Sequence, residues 1–113
     1  MSNSSITTDE DWEFEDELMP PVYPGEVLAI EFMEPLGLSD ERVAEGLGLT
    51  VNEVRDFLEN RRRVDADLAL RLEHALPWDA GMWMRLQAAY DLDLARRAGS
   101  AVAAHLPILH AAE

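Results

Sequence analysis

The stretch LSDERVAEGLGLTVNEVRDFL, residues 38–58, carries several short-range backbone signals packed closely together. Ser39 stands where a helix N-cap belongs, and Gly48 supplies a break. Thr50 then opens a second helix with Glu53 three residues behind it, which is the T-x-x-E capping box. The spacing predicts one helix over 40–47 and another from 51 to about 58. Val43, Ala44, Leu47, Leu49, Val54, Phe57 and Leu58 fall at the positions that lock two short helices across a tight turn, with Ala44 small where the backbones would approach. Short helix, glycine turn, capped short helix is the helix-turn-helix pattern. A plain helical hairpin has the same spacing, so the pattern alone leaves both readings open.

The flanking sequence reads as further helix. Pro24 and Gly25 open a segment in which Val27, Leu28, Phe32 and either Ile30 or Met33 share a face, before Pro35 and Gly37 stop it. Asp65 caps a helix from 66 to about 76 with Leu68, Ala69, Leu72 and Leu76 on one side, ended by Pro77. Asp79 caps a last helix with Trp83, Leu86, Tyr90 and Leu94 on one stripe, closed by Arg96 and Arg97 and stopped at Gly99. The tail from Ser100 is apolar and broken by Pro107. No stretch alternates with period two for long enough to argue a sheet, so the expected fold is all-α, a compact bundle of about five helices. Residues 1–19 form an arm, 20–98 the helix-turn-helix domain, and 99–113 an apolar tail suited to a dimer contact.

Charge sets a conflict with the usual partner of such a motif. The formal net charge is -14, and all nine bases are arginine. Residues 1–19 hold seven acids and no base. This segment is too polar to bury much surface by itself. It can act as a solubilising tail, lie over the chain's own arginines, or dock on a basic partner through Trp12, Phe14 and Leu18. Residues 39–63 still contain six acids against five arginines, where a DNA reader would show a basic excess. The counterweight is NRRR, with Arg61, Arg62 and Arg63 directly after the second helix. These three either touch the sugar-phosphate backbone or pair with acids of the same molecule.

Other chemistry finds little support. With no cysteine there is no disulfide framework or thiolate metal site, and no apolar run approaches the ~20 residues that cross a bilayer. The N-terminus lacks a basic leader followed by an apolar core, so the expectation is a cytoplasmic protein. His74, His105 and His110 are too scattered to suggest a metal site, no glycine loop cradles phosphate, and no nucleophile has a base beside it. The chain is expected to be no enzyme and to need no cofactor.

Three blocks in order, PGEVLAIEFMEPLGLS, ADLALRLEHAL and MWMRLQAAYDLDLA, resemble the HigA antitoxin family, also grouped with VapI-type proteins, from residue 24 to about 95. The third is the most discriminating, since a generic helix-turn-helix repressor has no W-x-x-L-Q-x-x-Y-D-L continuation. The resemblance implies an antitoxin that binds a small basic HigB toxin, a RelE-like endonuclease cutting mRNA on the ribosome, and that represses its own operon as a homodimer on a palindromic operator. It places the start of the recognition helix at Thr50 and makes Thr50, Asn52, Glu53 and Arg55 the candidates for the groove. Asparagine can pair adenine bidentately, arginine guanine, and glutamate can accept from cytosine. The chain departs from the family at Asp56, Glu59 and Asn60. The two acids would bring negative charge near a duplex, while Asn60 suits a left-handed turn. Those acids leave a second possibility, a protein-binding module on the same fold that neutralises a basic toxin without reading DNA.

Overall fold

The computed structural model describes residues 20–111, and of residues 100–104 the backbone alone. The arm of residues 1–19, with Trp12, Phe14 and Leu18, lies outside the described residues. Five helices and no strand are found among the described residues. We label them α1 (residues 24–36), α2 (Asp40–Leu47), α3 (Val51–Leu58), α4 (Ala66–Ala75) and α5 (Ala80–Ala104).

α1 starts on Pro24, whose missing N–H costs nothing in a first turn, and widens to a π turn over Leu28–Met33. Pro35 follows at once. Its ring crowds the carbonyl four residues back, and the wider turn opens the ladder just ahead of it. The wide turn also decides between the two candidates for the inner face. Leu28, Phe32 and Met33 are buried, and Ile30 points to solvent. Gly37, at φ 67°, ends the helix.

The caps read from sequence form as expected. Ser39 accepts from the Arg42 N–H at 3.1 Å, Asp65 from Leu68 at 2.9 Å and Asp79 from Met82 at 2.7 Å. Gly48 takes φ 68° between α2 and α3. There Arg71 of α4 reaches across and donates from Nη1 to the carbonyls of Leu47 and Gly48 at 2.8 and 3.2 Å, satisfying acceptors that the end of a helix leaves open.

The core draws on every helix: Leu28, Phe32 and Met33 from α1, Val43, Ala44 and Leu47 from α2, Val54 and Phe57 from α3, Leu68, Ala69 and Leu72 from α4, and Trp83 from α5, with Val64 from the connection. Phe32, Trp78 and Trp83 form an aromatic cluster, with ring centroids 4.9 Å apart for Phe32 and Trp78 and 5.4 Å for the two tryptophans. Such rings bury large apolar areas and gain further from edge contacts.

Two expectations about α5 are corrected. The helix does not stop at Gly99 but runs to Ala104, and it ends shortly before Pro107, whose ring disfavours helix in the residue ahead of it. The stripe Trp83, Leu86, Tyr90 and Leu94 is also not a free dimer face. Trp83 is completely buried within its own chain, and Leu86 packs on the core. Tyr90 meets Tyr23 edge-on, with centroids 6.1 Å apart, and accepts a hydrogen bond from Asn60. The apolar periodicity was real, but the bundle buries Trp83 outright and covers Leu86 and Tyr90 in part. Leu94 remains exposed, with Leu92 nearby and Leu106, Ile108 and Leu109 on the tail. No helix among the described residues is long and apolar enough to cross a membrane.

Candidate nucleic-acid interface

α3 is short, and its geometry is set at both ends by local hydrogen bonds. At the start, Thr50 Oγ1 accepts from the Glu53 N–H at 3.1 Å while Glu53 Oε1 accepts from the Thr50 N–H at 2.8 Å. At the finish, Asn60 takes φ 63°, with Asn60 N–H donating to the Phe57 carbonyl at 3.2 Å and Arg61 N–H to that of Asp56 at 2.7 Å. This is a Schellman closure, made with asparagine in place of the usual glycine. Asn60 Nδ2 then donates to the Tyr90 hydroxyl at 2.8 Å, which ties the turn to α5.

With Val54 and Phe57 buried, the outward face of α3 presents Asn52, Glu53 and Arg55, preceded by Thr50. Asn52 makes no side-chain hydrogen bond among the described residues and keeps both amide groups for a partner. Glu53 is less free. One of its oxygens closes the capping box, and the other faces Arg62 at 4.0 Å. The hydrogen bond from the Thr50 backbone is the main reason its carboxyl titrates below the ordinary value, with the Thr50 hydroxyl and Arg62 acting in the same direction.

The arginines differ sharply in how much of each guanidinium is occupied. Arg61 gives Nε and Nη2 to Asp56 at 3.2 and 3.0 Å and Nη1 to Glu59. Glu59 and then Asp56 raise its pKa. Arg63 makes a two-pronged pair with Asp91 on α5, at 2.9 Å from Nη1 and 2.7 Å from Nη2. That pair raises the arginine and, as its largest cause, holds the Asp91 carboxyl below its ordinary range, with Gln87 donating to the same carboxylate at 3.1 Å. Arg62 is the most covered of the three. Arg55 gives Nε to Asp40 at the first turn of α2, at 3.0 Å, and holds Nη2 3.8 Å from Glu41.

The DNA-contact residues expected from sequence follow one another from Thr50 through α3 into the three-arginine turn, whereas the toxin-contact residues Trp12, Phe14 and Leu18 lie outside the described residues. Five positions that shape this edge were not legible in advance: Asp40, Gln87, Tyr23, Asp91 and Arg71. Gln87 accepts from the buried Val64 N–H at 2.7 Å, and the Tyr23 hydroxyl donates to the Leu58 carbonyl at 3.1 Å, so one fastens the end of the turn and the other the end of α3. Their partners lie 23 and 35 residues away, and no local spacing announces such bonds.

No family model matches the chain. Individual proteins do. It is 33% identical over 90 residues to virulence-associated protein I of Dichelobacter nodosus, a match covering 80% of this chain and 83% of the relative. It is 36% identical over 72 residues to antitoxin HigA-1 of Vibrio cholerae serotype O1, covering 64% and 68%. The chain belongs to the HigA antitoxin family. Its fold superimposes on that of the Pseudomonas aeruginosa antitoxin HigA, solved with the higBA promoter, with a TM-score of 0.73 at 32% identity over 80% of this chain and 100% of that one.

In this HigA-family chain the arginines of the edge are all turned toward acids. Arg55, Arg61, Arg62 and Arg63 each face a carboxylate of the same molecule. Among the described residues no group of histidines and acids is placed to hold a metal ion. A largely apolar cavity of about 220 Å³ lies between Leu28, Leu38, Val43, Leu47 and Leu76, and no residue of α3 or of the three-arginine turn lines it.

Proposed function

We propose that the chain is an antitoxin that represses its own operon by reading operator DNA as a dimer, and that it neutralises a small basic HigB-like mRNA interferase. The observation that carries the DNA half is the capped α3, anchored at its end by Tyr23 and at its closing turn by Tyr90, with Asn52 and Arg55 turned outward and an arginine turn behind it. The likeness to a HigA solved with its promoter supports the same reading. Asn52 and Arg55 are the base readers, and the Thr50 hydroxyl and Arg61 to Arg63 are the phosphate contacts that set register. Dimerisation joins two such edges across a palindrome, with recognition helices about 34 Å apart. Exposed Leu92 and Leu94 and the apolar tail are the surface for it.

The acidic arm is the segment we assign to the toxin. A cationic ribonuclease would be steered by its charge and anchored by Trp12, Phe14 and Leu18. Deleting residues 1–19 then lowers the association rate with the toxin and the salt dependence of that rate. If the deletion instead strengthens operator binding and leaves toxin association unchanged, the arm covers the arginines. If neither changes, it only solubilises.

Titration of the chain's own promoter against random duplex at several salt concentrations tests the repressor role. Equal affinity for both overturns it. A second reading, a toxin-binding module that does not read DNA, is favoured by one observation: each arginine of the edge is already facing an acid within the molecule. Equal affinity for promoter and random duplex, with toxin neutralisation intact, would establish that reading.

A further inference from the structure

We infer that Asp40 is a positioning residue for base recognition: it holds Arg55 by Nε so that the terminal edge of the guanidinium stays open toward the groove. The inference rests on the DNA-reading role proposed above and adds to it the residue that sets specificity.

The geometry distinguishes Arg55 from Arg61 and Arg63, and Arg62, 4.0 Å from Glu53, is the most covered of the turn and has no carboxylate holding its plane within hydrogen-bond reach. Arg63 has both terminal nitrogens bonded to Asp91, and Arg61 has all three nitrogens facing Asp56 and Glu59. Neither has a free fork to offer a base unless its internal pair first breaks. Arg55 is held from the side. Asp40 Oδ2 takes Nε at 3.0 Å, Glu41 stands 3.8 Å from Nη2, beyond hydrogen-bond reach, and Nη1 makes no hydrogen bond among the described residues. The two terminal nitrogens are the pair that meets guanine O6 and N7 in an end-on bidentate contact. A long arginine side chain free in solvent loses rotamer entropy when it binds, so a carboxylate that already fixes its plane lowers that loss for the correct base.

Asp40 is well placed for the task. It sits in the first turn of α2, directly after the Ser39 cap, where a negative charge is favoured by the helix dipole and the backbone is rigid. Its side chain is 31% exposed, against 48% for Arg55, so the clamp is more covered than the group it holds. A carboxylate in this position also repels phosphate. It therefore trades overall affinity for discrimination, and charge alone and positioning predict different outcomes on substitution.

The test compares wild type, Asp40→Ala, Asp40→Asn and Asp40→Glu in the full chain. Each is titrated with the promoter, with random duplex, and with promoter duplexes in which single G·C pairs are replaced one at a time. Asp40→Ala is expected to lose about tenfold of discrimination at one G·C pair per half-site while binding random duplex as well as or better than wild type. Asp40→Asn, whose amide oxygen still accepts from Nε, retains most of that discrimination. Asp40→Glu, which keeps the charge but moves the carboxylate by one methylene, loses it. The inference is overturned if Asp40→Ala keeps the wild-type pattern of base preferences, or if all three variants shift every duplex by the same factor. A wild-type chain with no preference for its promoter overturns the functional reading and this inference together, so the wild-type titration separates the two failures. Thermal melts of the free variants confirm that each is folded.

Discussion

Gly25 in the first turn of α1 lies so close to the carbonyl of Phe57 near the end of α3 that a Cβ on Gly25 would overlap that oxygen. α3 is thus seated by backbone-to-backbone contact with the start of the domain, and the Tyr23 hydroxyl reinforces the seat through the Leu58 carbonyl. Neither side can yield by rotating a side chain.

Gly25→Ala is accordingly expected to be among the more destabilising single changes, at roughly 1–3 kcal/mol or above, because overpacking here moves a helix. A thermal melt should show Tm lowered by several degrees or more. Gly46→Ala, inside α2 with open space around its Cβ, serves as the control and should leave Tm unchanged or raise it, since alanine favours the helix over glycine.

Gln87 is the buried polar side chain that receives the Val64 N–H. Gln87→Leu strands a buried donor and is expected to lower stability by about 1–3 kcal/mol. Loosening the turn after α3 should also increase hydrogen exchange at Val64. An unchanged exchange rate would refute the anchoring role.

The pairing of Arg61 with Asp56 and Glu59 predicts a gain in DNA binding from the removal of acids. Asp56→Ala with Glu59→Ala removes both acceptors and frees one guanidinium for phosphate. Affinity for duplex of any sequence should rise a few-fold, and the slope of log K against log salt should steepen by about 0.9 for the added contact. Arg61→Ala in that background should abolish the gain. A gain that survives the arginine change would trace to net charge alone.

Glu53 and Asp91 both titrate below their ordinary values in the native chain. The unfolded chain therefore binds more protons in the acid range. The stabilisation is complete above the ordinary carboxylate pKa of about 4 and is lost as pH falls through the lower native values. Thr50→Ala removes the hydroxyl half of the box, costs about 1 kcal/mol at neutral pH, and should flatten the acid limb of the stability profile. Melts between pH 2 and about 7 read both effects.

Sedimentation velocity tests the dimer. The wild-type chain should sediment as a dimer at micromolar concentration, and Leu92→Asp with Leu94→Asp should yield monomer without a change in helix content. A wild-type monomer at high micromolar concentration would remove the two-fold geometry from the repressor reading.

The helices from Asp40 to Leu58 and the caps at Ser39, Thr50, Asp65 and Asp79 were legible in the sequence, because each depends on residues within about five positions of one another, while the left-handed turn at Asn60 came from the family resemblance. Asn52 and Arg55 were reached through the family resemblance, and the structure leaves both exposed beside the buried Val54 and Phe57. Tertiary structure decided what periodicity could not. An apolar stripe says that a face is buried without saying by what, so Trp83, Leu86 and Tyr90 read equally well as dimer contacts until Phe32, Trp78, Tyr23 and Asn60 occupied them. Charge behaves in the same way. Asp40 and Asp91 count only as acids in the sequence, and their partners Arg55 and Arg63 are 15 and 28 residues away. Only the packing of α2 against α3, and of the three-arginine turn against α5, brings those carboxylates within hydrogen-bond range. The pairing is set by distance in space, and local sequence does not encode that distance.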